Sequence, residues 1–142
     1  MKVNELNHPL VSHKLTILRN KETGTKEFRE IIGELSMLLC YEAMKDAKLE
    51  TKELETPICA ITGKKLNEDN YAFIPILRAG TGMLDGIINV VPNAKIGHIG
   101  MYRDEETFEP TVYFFKVPKD IDKREVIILD PMLATGGSGL DA

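Results

Sequence analysis

Apolar residues recur at helical spacing from Thr25 onward, at Phe28, Ile31, Ile32, Leu35, Leu38 and Leu39, and predict a helix running to about Ala47. Ahead of it, residues 1–24 mix polar and apolar positions and close on the turn-like Lys21-Glu22-Thr23-Gly24. Beyond it the period shortens. Residues 57–62 read as a short strand before a turn at 63–67, and residues 71–77 as a buried strand in which Pro75 breaks regular pairing. Residues 83–91 are helical in pattern and closed by Pro92-Asn93, and 95–101 and 111–117 are two further strands around an acidic connector. Residues 126–130 end the series as a buried parallel strand. Alternating strands and helices with near-continuous apolar strands predict an α/β fold, with a mostly parallel sheet flanked by helices. No repeat or linker divides the chain, so residues 1–142 are expected to form one domain.

Composition narrows the function classes. A hydrophobic share of 43% and a charged share of 28% suit a globular domain with a real core. A formal net charge of −4 argues against general binding to nucleic acid or a membrane surface. An anionic ligand must then be held by local cations and backbone dipoles. Cys40 and Cys59 lack metal-ligand spacing, and each lies in an apolar stretch, so both read as reduced core residues of a cytoplasmic protein. No apolar run approaches the roughly 18 residues that span a bilayer, and the charged start is no signal peptide.

The chemistry concentrates at residues 126–138. Val126-Ile-Ile-Leu129 leads to Asp130, and the loop after it carries Thr135, Gly136, Gly137 and Ser138. Paired glycines beside hydroxyl residues let successive backbone N–H groups converge on one point, which cradles a phosphate without a lysine. An acid just before such a loop suits hydroxyls. A sugar phosphate satisfies both.

This run resembles the phosphoribosyl diphosphate (PRPP) signature of type I phosphoribosyltransferases, and Pro131 in place of the second acid is the form found in uracil phosphoribosyltransferases. Purine-specific relatives keep the acidic pair. Four further segments resemble that family in the same order: His8-Pro-Leu-Val-Ser-His13 onward to Arg19, Phe28-Arg29 with residues 38–43, residues 74–83 and residues 97–107. The resemblance implies a type I phosphoribosyltransferase-like fold with a β-arm near 102–116. It implies transfer of the phosphoribosyl group of PRPP to uracil, giving UMP and diphosphate in pyrimidine salvage.

The PRPP contacts it implies are Arg78, Arg103, Asp130, Pro131, Met132, Leu133, Ala134, Thr135, Gly136, Gly137 and Ser138. The backbone of residues 134–137 and the Thr135 and Ser138 hydroxyls would hold the 5-phosphate, and Asp130 the ribose hydroxyls. Arg78, in a loop expected to be loosened by Gly80 and Gly82, would grip the diphosphate with Arg103 from a mobile flap. Mg²⁺ would arrive bound to PRPP, with no direct protein ligand. No nucleophile or catalytic base is expected, and His8, His13 and His98 read as structural. The resemblance also names a homo-oligomer as the expected assembly and GTP as a candidate effector. The family's uracil-binding segment has no counterpart up to Ala142, so these residues are expected to be the front part of an enzyme and inactive alone. A PRPP-sensing regulator on the same fold is the alternative.

Overall fold

Helix α2, Thr25–Ala43, starts where the periodic pattern starts, and Met44 closes it by donating its N–H to the Cys40 carbonyl at 3.0 Å. It thus stops short of Ala47. These are features of a computed structural model that describes residues 3–103, 110–132, 139–140 and 142. One face of α2 buries Ile31 and Leu35 against Val11 of a first helix, α1, Pro9–Leu18, in the mixed stretch to which the pattern assigns no element. The overlooked signal is a cap. The His8 Nδ1 atom accepts the Leu10 N–H at 3.1 Å, and Pro9 fills a first-turn position whose N–H has no helical partner.

Strands β1, Leu49–Glu55, and β2, Ala60–Leu66, form an antiparallel hairpin of their own. The strand expected at 57–62 and the turn at 63–67 are therefore displaced. The reversal sits at 56–59, where the Thr56 hydroxyl accepts the Cys59 N–H at 3.1 Å and donates to the Cys59 carbonyl at 2.7 Å. Cys59 is exposed at this reversal, while Cys40 is buried, so only one cysteine belongs to the core.

The main sheet is built around β3, Tyr71–Leu77. Strands β4, Lys95–Ile96, and β5, His98–Arg103, lie in line along one side of β3, and β7, Glu125–Leu129, lies along the other. All three run parallel to β3. Strand β6, Pro110–Lys116, returns antiparallel to β5 and makes the expected arm. Alternate residues of β3 bury opposite faces: Tyr71 and Phe73 pack with Cys40, Met83 and Ile87, and Ala72 and Ile74 pack with Ile99. The helix expected at 83–91 is shorter. Residues 79–83 form a 3₁₀ turn and α3 covers only Leu84–Ile88.

Strand β7 departs from the buried strand expected. Leu129 is 4% exposed, but Val126 is 44% and Ile128 39% exposed. Among the described residues β7 pairs with β3 alone, so it has one covered side. Pro75 does interrupt pairing. The β3 ladder runs through Phe73↔Ile96, takes the Gly97 N–H onto the Phe73 carbonyl at 3.2 Å, and resumes at Ile76↔Ile99. A parallel ladder would next use the N–H of residue 75, which proline lacks. At the same break a Cβ on Gly97 would lie 2.7 Å from Ile74 Cδ1 and 2.9 Å from the Val117 Cα.

Candidate functional site

Parallel strands gather their loops at their carboxyl ends, which is where ligands bind in such sheets. Two candidate residues leave the sheet there side by side. Pro75 of β3 is in register with Leu129 of β7, so Asp130 stands level with Ile76, and Arg78 follows Leu77 two residues further along. Arg78 and Asp130 thus leave the sheet at one edge.

Arg78 begins the 3₁₀ turn Ala79–Met83, and the peptide joining it to Leu77 is cis. The turn is anchored from inside. Met83 enters the cluster around Phe73, and Gly80 is buried. A Cβ on Gly80 would collide with the Leu129 carbonyl oxygen and would lie 3.1 Å from the Cα and Cβ of Pro75. Gly80 therefore does not loosen the loop, as its residue type had suggested. It lets the turn press against the last residue of β7. Nothing near it in sequence signals that contact, because Leu129 is remote along the chain. On the outer side, the Thr81 hydroxyl donates to the Arg78 carbonyl at 2.6 Å and the Thr81 N–H reaches the same oxygen at 3.3 Å. Thr81 lies in the segment 74–83 that carries the resemblance, which assigns it no role of its own.

Asp130 is half-buried, and its Oδ1 accepts the Met132 N–H at 3.1 Å, which starts the loop after β7 with a tight local turn. Pro131 and Met132 are exposed. Asp130 also lines a cavity of about 240 Å³, together with Leu39, Cys40, Phe73, Met83 and Ile127. The expected phosphate-loop residues Leu133, Ala134, Thr135, Gly136, Gly137 and Ser138 lie outside the described residues, as does most of the acidic connector after Arg103. The backbone of Arg103 ends β5 opposite Pro110. Since Gly100 pairs with Leu77, the arm carries Arg103 past the same carboxyl-end edge as Arg78.

A larger hollow of about 480 Å³ lies at the base of the hairpin, lined by Glu50, Lys65, Asn67, Glu68, Asp69 and Lys95. Several of its polar groups pair with one another. Asn67 donates to Glu50 at 3.0 Å, the Asn93 N–H to Glu68 at 2.6 Å, and Lys95 pairs with Asp69 at 2.9 Å. Hydrogen bonding and charge from the Lys95 ammonium hold the Asp69 carboxyl below its usual range. This hollow fastens the hairpin to the sheet, and no substrate role is assigned to it. Of the three histidines, His8 serves as a helix cap. Among the described residues, no three metal-ligating side chains gather, and no helix is long and apolar enough to cross a membrane.

Comparison with known proteins places this geometry. The family model for uracil phosphoribosyltransferase (UPRTase) matches residues 5–142. The chain is 57% identical over 141 residues to the uracil phosphoribosyltransferase of Clostridium novyi, covering 99% of this chain and 68% of that protein. It is 58% identical over 137 residues to the one from Lactobacillus gasseri, covering 96% of this chain and 66% of that protein. The solved structure of the AQ2163 protein from Aquifex aeolicus superimposes with a TM-score of 0.91 at 45% identity, over 97% of this chain and 66% of that one. The chain thus spans about two thirds of the length of the relatives it matches.

Proposed function

The chain belongs to the uracil phosphoribosyltransferase family, glycosyltransferases of pyrimidine salvage, and from that premise we propose that its strand-end edge binds PRPP for transfer to uracil. The observation that carries the reading is the placement of Arg78 and Asp130 just past the ends of adjacent parallel strands, with Gly80 packed against the last residue of β7.

Displacement at the anomeric carbon needs three things from the protein. The ribose must be fixed, the leaving diphosphate neutralised, and water kept away. Asp130 keeps one carboxylate oxygen for ribose hydroxyls after the other has bound Met132. Arg78 offers a planar fork to the diphosphate oxygens, and Arg103 adds a second cation from the arm. The backbone of residues 134–137 and the hydroxyls of Thr135 and Ser138 cradle the 5-phosphate, by resemblance. Positive charge grows on the sugar as the diphosphate departs, so no covalent nucleophile is required. Uracil is the acceptor through N1, and no residue of this chain is assigned to it.

Mg²⁺ fits as a companion of the substrate. By resemblance it would arrive with PRPP, and a hard ion that keeps waters and substrate oxygens around it suits the strand-end edge where Asp130 stands. Held in that way it would neutralise diphosphate charge. GTP as an effector and a homo-oligomeric assembly remain part of the reading by resemblance alone.

Calorimetry of the purified protein with PRPP and Mg²⁺ tests the reading. Saturable binding is expected, weakened by Asp130→Asn and by Arg78→Met. A protein with no PRPP binding would overturn it.

A further inference from the structure

We propose that Gly80 and Thr81 are positioning residues for the diphosphate: they set where Arg78 stands relative to the end of β7 without touching the substrate. The inference rests on the PRPP reading of this edge.

Two independent restraints act on the Arg78 turn. Gly80 sets its depth. The atoms a Cβ would meet there belong to the Leu129 backbone and to Pro75, on two hydrogen-bonded strands, and cannot swing aside as a flexible side chain would. An alanine at 80 must therefore push the turn outward, away from the strand end where Asp130 sits. Thr81 sets the pitch. Its hydroxyl and its N–H both hold the Arg78 carbonyl, so the direction in which residue 78 leaves the sheet depends on that bond. A guanidinium fork gripping phosphate oxygens is directional, and a misplacement of about 1 Å is enough to weaken it strongly. Gly82, in the same turn, is different. A Cβ there meets only Ile32 Cγ2, at 3.6 Å.

The test measures PRPP and ribose 5-phosphate binding by calorimetry in the unaltered protein, Gly80→Ala, Thr81→Val and Gly82→Ala. Ribose 5-phosphate has no diphosphate and reports the Asp130 and phosphate-loop half alone. Gly80→Ala and Thr81→Val should weaken PRPP by about tenfold or more, the size of one charge-assisted hydrogen bond. Ribose 5-phosphate should stay within about twofold, and Gly82→Ala should bind both ligands normally. In an Arg78→Met background the effect of Thr81→Val on PRPP should vanish, because a residue acting through Arg78 then has nothing left to position. Thr81 is exposed, so its variant decides the matter even where Gly80→Ala does not fold. Parallel loss of both ligands, unchanged PRPP binding, or a Thr81→Val effect that persists beside Arg78→Met would overturn the proposal. An unaltered protein that binds no PRPP would instead remove the underlying reading, and this inference with it.

Discussion

The Asp130 carboxylate accepts the Met132 N–H at 3.1 Å, so the acid proposed to hold the ribose also starts the loop proposed to hold the phosphate. The two roles separate by substitution. Asp130→Asn keeps an oxygen for the Met132 N–H and loses the charge, whereas Asp130→Ala loses both. In an enzyme of the relatives' full length carrying this sequence, Asp130→Asn should lower kcat/KM for PRPP by about 10- to 100-fold, from about 1.5–3 kcal/mol per charge-assisted hydrogen bond. Asp130→Ala should fall further. Unchanged kinetics in the asparagine variant would remove Asp130 from the ribose site.

Gly136→Val should abolish PRPP and ribose 5-phosphate binding together, the opposite of the split expected at Thr81. Position 136 lies outside the described residues, and the prediction follows from the resemblance and from the close backbone approach that a phosphate cradle needs. Equilibrium dialysis with ribose 5-phosphate reads it directly. Normal binding would put the cradle elsewhere.

Phe73 is 1% exposed and packs between the sheet and the helical layer, against Cys40, Met83 and Ile87. Phe73→Ala should cost about 3–5 kcal/mol of stability through lost burial and the cavity it leaves. The urea midpoint should fall at nearly constant slope. Met83, which ends the Arg78 turn, shares that cluster, so PRPP affinity should weaken well below the unfolding transition.

The two cysteines should separate by reactivity. Cys59 is exposed and should be labelled by thiol reagents in the native protein, while Cys40 should react only after unfolding. Burial pushes the Cys40 thiol pKa up. The folded state therefore holds that proton more tightly than the unfolded chain does. Its contribution to stability is complete below the unfolded thiol value of about 8.5 and is lost as pH rises through the folded value. Urea midpoints taken on either side of that range should fall toward alkaline pH, and Cys40→Ala should flatten the slope.

How far the chain can be read unaided depends on whether the controlling contact is local. Ile31 and Leu35 announce α2 because their spacing is the helix period itself, and α2 begins at Thr25 as expected. Tyr71–Leu77 reads as a strand because both of its faces are buried. The hairpin does not read. Glu50, Lys52, Glu53 and Glu55 dominate β1, every residue of β1 is exposed, and no buried face imposes alternation. Helix α1 is hidden for another reason: its cap is a histidine, which ordinary cap rules pass over. The edge shared by Arg78 and Asp130 is legible from chain direction alone, since parallel strands deliver the loops that follow them to the same side of the sheet. The tightness of Gly80 is not, because it is set by Leu129 across the sheet.

The break at Gly97 has a consequence for descent. Strands β4 and β5 meet β3 with the same offset on both sides of that glycine, at Phe73↔Ile96 and again at Ile76↔Ile99. One inserted residue there would turn every side chain of β5 to the opposite face and shift the arm bearing Arg103 against the turn bearing Arg78. A substituted side chain would strike Ile74 and the end of the arm at Val117. Lineages carrying this sheet are thus expected to vary in length at the solvent-facing reversals, such as residues 56–59, and to hold the count between Ile96 and Ile99 fixed, a constraint that selection would enforce without Gly97 ever meeting a substrate.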